Sequence, residues 1–119
     1  MIKKKSELKV DRHEKFREGK GEIFFHHFLN QEESGGVGRL FCKTVIPPGE
    51  NSIGVHRHEG DFEVYYIISG KAEVYDNGET HILEAGDLNL CPDGQEHGIA
   101  NAGDEELVYI SLIIFTKAQ

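Results

Sequence analysis

The 119-residue sequence holds no tryptophan, one methionine, three prolines and two cysteines. Cys42 and Cys91 stand far apart and form no C-x-x-C, so neither a disulfide framework nor a zinc knuckle organises the chain. Long apolar runs are missing. The densest, from Val108 to Phe115, has eight residues, too few to span a bilayer, so no membrane partner is expected. No apolar segment follows the basic start Met1-Ile2-Lys3-Lys4-Lys5, which reads as the lack of a secretory signal. A cytoplasmic location with both thiols reduced is the resulting expectation. Basic residues are also scarce: 13 against 21 acidic groups give a net charge of −8. That balance argues against nucleic acid and anionic membrane as partners, because both need a positive surface. A hydrophobic content of 38% and the short length point to one folded domain.

The charge is unevenly distributed. Residues 1–20 carry eight of the basic groups against four acids, while residues 21–119 are strongly acidic. The chain therefore divides into a basic N-terminal arm, 1–20, and an acidic body, 21–119. Two readings fit the arm: a solvated tail, or a segment lying on an acidic barrel, its own or a neighbour's. Residues 6–18 have room for a helical turn.

From Ile23 onward, short apolar segments alternate with Gly, Pro, Asn and Asp. The expected strands are Ile23–Asn30, Arg39–Ile46, Asn51–Val55, Phe62–Ser69, Lys71–Tyr75, Glu79–Glu84, Leu88–Cys91, Gly98–Asn101 and Glu106–Thr116. Asn77-Gly78 between two of them is a hairpin signal, since both residues tolerate positive φ. Turns every eight to twelve residues, with no helical period, predict an all-β sandwich or barrel. The segments 62–69 and 107–115 are apolar on both alternate faces. One covered face belongs to a second sheet; the other predicts a partner subunit, most simply in a homodimer.

Seven histidines are unevenly useful. His56 and His58 are two apart near a strand end, so both side chains point to one face. Glu63 follows the turn-like Glu59-Gly60-Asp61, and a returning strand can bring it to that face. His97 follows a second turn, Pro92-Asp93-Gly94, and shares an alternate set with Ile99 and Asn101. Three imidazoles and one carboxylate converging in a barrel make a site for one divalent first-row transition metal: manganese, iron, nickel or zinc. Such an ion keeps one or two positions for water, a small molecule or O₂.

In this arrangement the sequence resembles the cupin family of small jelly-roll β-barrels (the double-stranded β-helix). The family's first motif, G-x5-H-x-H-x(3,4)-E-x6-G, is matched by Gly49, His56, His58, Glu63 and Gly70, with one extra residue between Gly49 and His56. The second, G-x5-P-x-G-x2-H-x3-N, is matched without a gap by Gly86, Pro92, Gly94, His97 and Asn101. The resemblance implies a metal held by His56, His58, Glu63 and His97. It leaves the reaction open, because the family hosts dioxygenases, isomerases, decarboxylases, lyases, binding regulators and storage proteins.

The remaining candidates have structural readings beside functional ones. His26 and His27 alternate faces, so one looks inward, as a strand histidine or as a neighbour of the site. His13 and His81 are expected in solvent. Cys91 reads as a small buried residue, with a reactive thiol as the alternative. Tyr65 and Ile67 share the face of Glu63 and line either core or pocket; Tyr66 points outward. Arg39 either faces solvent or meets an anionic ligand. Asn101 is expected to hydrogen-bond its loop. Two functions fit: a small metalloenzyme of dioxygenase, isomerase or lyase type, or a non-catalytic metal-dependent module that binds or senses a small polar metabolite. A 2-oxo acid, oxalate, an enediol or a catechol would suit two adjacent open positions. A metal that merely staples the barrel is a third reading.

Overall fold

In the computed structural model, which describes residues 1–117, ten strands form two antiparallel sheets. The strands are β1 (Lys9–Glu14), β2 (Glu22–Leu29), β3 (Gly38–Ile46), β4 (Ser52–Arg57), β5 (Asp61–Ser69), β6 (Ala72–Asp76), β7 (Glu79–Leu83), β8 (Leu88–Cys91), β9 (Glu96–Asn101) and β10 (Leu107–Phe115). The larger sheet runs β1-β2-β3-β10-β5-β8 and the smaller β4-β9-β6-β7. Together they make the expected jelly-roll barrel.

The strands follow from alternation. In β5, Glu63, Tyr65 and Ile67 turn inward and are buried, while Tyr66 and Ile68 are exposed. In β10, Leu107, Tyr109, Ser111 and Ile113 turn inward. These side chains meet Ile53 of β4, Val74 of β6 and Ile99 of β9 from the facing sheet, closing one apolar core. Asn77 and Gly78, at φ 46° and 105°, close the β6–β7 hairpin as expected. Gly49, Gly70, Gly86 and Gly94 also take positive φ at corners. Asn101 ties its loop by donating to the carbonyls of Ile46 and Glu105 and accepting from the amide of Gly103.

The first twenty residues correct one expectation and choose between the two readings of the arm. Residues 6–18 are not one helical turn: short 3₁₀ turns at Lys5–Glu7 and Phe16–Glu18 flank a strand. β1 pairs with β2 from Lys9↔His27 to Glu14↔Glu22, so this stretch lies on the chain's own barrel. The strand escaped notice because its half-buried set is polar, Asp11 and His13, and lacks apolar alternation. His13 is not simply solvated either. Its ring packs 5.0 Å from that of Phe16 and 5.3 Å from that of Phe25.

The 3₁₀ turn at Phe16–Glu18 sits flush on β4. A Cβ at Gly54 would lie 2.0 Å from the Arg17 carbonyl oxygen, and one at Gly19 would lie 2.3 Å from that of Ser52. Lys15, Arg17 and Glu18 hold the left-handed conformation that brings this strap across the barrel mouth. It places Phe16 and Arg17 at the rim of the site.

Candidate metal centre

His56 lies on β4, directly opposite His97 of β9. His58 follows β4 at the turn into β5, and Glu63 stands on β5 in the other sheet. The four side chains therefore meet between the sheets, with all ligand atoms within 4.8 Å of one another. Glu63 Oε1 is the hub: 2.9 Å from His97 Nε2, 3.0 Å from His58 Nε2 and 3.5 Å from His56 Nε2. The Nε2 atoms of His58 and His97 are 3.2 Å apart. His58, Glu63 and His97 are buried, and His56 is the most open of the four.

Each ring is held from behind. His56 Nδ1 is 2.7 Å from the Gly54 carbonyl oxygen, His58 Nδ1 is 2.6 Å from Asp61 Oδ1, and His97 Nδ1 is 2.8 Å from Asn89 Oδ1. All three partners are acceptors, so each Nδ1 donates, and in a metal-bound state each Nε2 would turn its lone pair to the centre of the cluster. Three nitrogen lone pairs and a carboxylate oxygen then face one point at hydrogen-bond separation. Only a positive charge at that point, a shared proton or a metal cation, makes the arrangement favourable. Nitrogen and carboxylate donors in this number suit a first-row divalent ion, so the residues fit the group.

The ionisation states agree. Burial pushes the Glu63 carboxyl up, but the three imidazoles around it outweigh burial and hold the group well below the usual carboxylate range. Burial also disfavours charge on His58, yet the Glu63 and Asp61 carboxylates overcome it and raise this ring above the ordinary histidine value. At His97 burial dominates over the pull of Glu63, and the pKa falls. Of these two rings, His58 therefore takes up a proton more readily than His97.

A cavity of about 120 Å³ opens onto His56, His58 and Glu63. That is room for a few waters or one small molecule. Phe25, Leu40, Ile53, Tyr65 and Ile113 supply the wall. Arg17 and Arg39 stand at the rim. Arg39 is partly in solvent, as the first of its two readings expected, and donates to Asp61 Oδ2 at 2.9 Å, behind His58.

Other expectations sort cleanly. Tyr65 lines the cavity, whereas Ile67 belongs to the core. His27 faces Asp11 at 2.8 Å instead of the cluster, and His26 lies on the opposite face, paired in register with Lys43. His81 is exposed. Cys91 is buried, and burial pushes its thiol up to about 12, so it behaves as an inert small residue. Sequence reasoning passed over Asp61 and Asn89, which orient two of the rings. Asp61 carried a signal in its position three residues after His58, but the segment read as a turn.

A two-sheeted antiparallel barrel with a His₃Glu cluster between its sheets belongs to the class of small β-barrels with a cluster that could hold a metal. Comparison with known proteins narrows this. The family model described as "Cupin domain" matches residues 43–114, and the chain belongs to the cupin family. It is 39% identical over 114 residues to an oxalate-binding protein of Thermotoga maritima, covering 96% of this chain and 93% of that one. A crystal structure from the same organism, described as a predicted oxalate decarboxylase, superposes with a TM-score of 0.91 at 38% identity, over 97% of this chain and 99% of that one. A more distant relative is a 5-nitrosalicylic acid 1,2-dioxygenase of Bradyrhizobium, 32% identical over 83 residues, 66% of this chain and 39% of that enzyme.

Proposed function

We propose that this chain is a metal-dependent binder of a small oxygen-rich dianion of the oxalate type. His56, His58 and His97, through Nε2, and Glu63, through its carboxylate, would hold one divalent transition metal (manganese, iron, nickel or zinc). The carrying observation is the convergence of four lone-pair donors whose outward nitrogens are already committed to Gly54, Asp61 and Asn89. The bound ion supplies a Lewis-acidic positive centre. The chain itself supplies a largely apolar wall that limits ligand size and, at the rim, the Arg17 cation, which attracts an anion, beside Arg39 paired with Asp61. The oxalate-binding relative, matched over nearly the whole of both chains, supports that ligand class.

Binding is favoured over turnover by the cavity lining. Apart from the cluster, its ionisable side chains are two arginines and one buried tyrosine. None is suited to shuttle a proton near neutral pH. The enzyme reading, of dioxygenase, isomerase or lyase type, rests on the metal position that faces the cavity. The test is elemental analysis of purified protein followed by calorimetric titration with oxalate, before and after chelation. One metal per chain and oxalate binding that disappears on chelation are expected. Oxalate binding that survives metal removal overturns the reading, and release of formate or carbon dioxide from oxalate replaces it with the enzyme reading.

The same proposal includes a homodimer. The outer face of the larger sheet exposes Tyr66 and Ile68 of β5 beside Leu88 and Leu90 of β8. Such a patch closes on itself about a two-fold axis. Sedimentation should give twice the 13.4 kDa chain mass, and Leu90→Glu should give the single mass with metal content unchanged. A wild-type monomer at micromolar concentration would remove the dimer. The two unpaired buried thiols, Cys42 and Cys91, accord with a reducing, cytoplasmic setting.

A further inference from the structure

The loop joining β1 to β2, residues 15–21, folds across the barrel mouth instead of standing out in solvent. Its base is closed by the Lys15 amide, which donates to the Gly21 carbonyl at 2.9 Å. Its far side is tied to the start of β4: the Ser52 amide donates to the Lys20 carbonyl at 2.9 Å, and the Lys20 amide donates to Ser52 Oγ at 3.0 Å. Among the described residues, four non-glycine residues take positive φ, and three of them, Lys15, Arg17 and Glu18, are here. Strained backbone of this kind persists where its surroundings over-determine it, and it clusters at ligand clamps. Phe16 is what this loop delivers. The other apolar residues of the cavity wall, Phe25, Leu40, Ile53, Tyr65 and Ile113, all stand on strands, and Phe16 alone comes from outside them. Its ring meets that of Phe25 edge-on at 5.3 Å and lies 5.0 Å from that of His13. A pinned backbone and two flanking rings make Phe16 a fixed wall, and packed walls yield little to an oversized guest. The cavity it closes, of about 120 Å³, suits one small molecule.

We propose that Phe16 is a specificity-determining residue that sets the upper size of the anion held at the cluster, admitting oxalate and excluding a dicarboxylate that carries an aromatic ring. This inference rests on the proposed function and adds the residue that limits the ligand class. An anion with a phenyl substituent has to occupy the place of the Phe16 ring. Truncating Phe16 leaves an apolar hollow of about that shape, and apolar hollows take up aromatic guests. Phe16 carries no charge and is no ligand candidate, so its effect falls on the choice between anions and not on the metal.

The test is calorimetric titration of manganese-loaded full-length protein with oxalate, malonate and phenylmalonate. All three are dianions that offer carboxylate oxygens to the ion, and the last differs from malonate only by a phenyl ring. Wild type should bind oxalate and should bind phenylmalonate at least about tenfold more weakly than malonate, the low end of the discrimination that a misfit of one methylene gives in a hydrophobic pocket. Phe16→Ala should reverse that order, binding phenylmalonate at least as tightly as malonate, with oxalate binding retained and manganese affinity at the wild-type value. Gly19→Ala acts from outside the cavity lining: its Cβ would lie 2.3 Å from the Ser52 carbonyl oxygen, so the loop must lift. It should relax the exclusion of phenylmalonate in the same direction, and it decides the matter if Phe16→Ala does not fold. Wild type that binds phenylmalonate as tightly as malonate overturns the inference and leaves the proposed function intact. Phenylmalonate that stays excluded from folded Phe16→Ala, or from Gly19→Ala where the former does not fold, while oxalate binds, also overturns it and puts the limiting wall elsewhere. A gain of phenylmalonate that comes with a loss of manganese affinity indicates general loosening and overturns it too. If the loaded wild type binds no oxalate, the proposed function fails first, and the inference with it.

Discussion

Glu63→Gln should purify without a stoichiometric transition metal and should bind added metal at least about a hundredfold more weakly than wild type. Removing a group that merely orients a ligand typically costs ten- to a hundredfold in metal affinity. Glu63 is itself a ligand candidate, and its Oε1 is the atom on which all three rings converge. Glutamine keeps the shape and one acceptor oxygen but removes the only negative charge among the four donors. The substitution therefore separates charge from packing. It also breaks the buried pairing of Glu63 with His58, so the metal-free variant should melt below metal-free wild type while still folding. The thermal gain from added metal should vanish with the charge. Plasma emission analysis and thermal melts with and without manganese measure both. A Glu63→Gln protein that still carries one equivalent of metal would refute the ligand assignment.

The second large effect is a pH dependence of opposite sign in the free and loaded forms. His58 has a folded pKa above the ordinary value of 6.5, held up by Glu63 and Asp61 against burial. Its contribution is complete below pH 6.5 and is lost as pH rises through the folded pKa, because the native state then binds more protons than the unfolded one. His97 has a folded pKa below 6.5, set by burial. Its contribution is complete above 6.5 and is lost as pH falls through the window beneath. Metal-free protein should therefore be most stable near pH 6.5 and weaken on either side. Metal must displace the proton of His58, so its affinity climbs across the window in which the free form weakens. The gap between loaded and free melting temperatures should widen from pH 6 to pH 8. At metal a thousandfold above Kd, the gain is about 4 kcal/mol, on the order of 10–20 °C for a domain of this size. Parallel curves for the two forms would contradict the protonation scheme.

Sequence alone disclosed the barrel strands and the four donors because both are periodic signals. Strands β2 to β10 alternate apolar and polar residues or are bounded by Gly, Pro, Asn and Asp. The donors sit at spacings tied to strand edges. β1 was hidden because nothing in Lys9–Glu14 alternates in hydropathy; its half-buried residues are Asp11 and His13. Asp61 and Asn89 were hidden because orienting a ring takes an acceptor at the right place in space, and polar residues near turns are common for other reasons. The rim was least legible. It depends on Lys15, Arg17 and Glu18 in a left-handed conformation that none of these residue types advertises, and on the bare backbone of Gly54 beneath them.

One feature of β5 limits how this protein can vary. Residues 63, 65 and 67 serve the interior, and their immediate neighbours 64, 66 and 68 form the outward face. A single-residue insertion or deletion within the strand would exchange these duties at a stroke, sending the carboxylate to solvent and Tyr66 into the barrel. Length changes should thus be tolerated in the turns, at places such as Asn77-Gly78, and within β5 only substitutions, one side at a time.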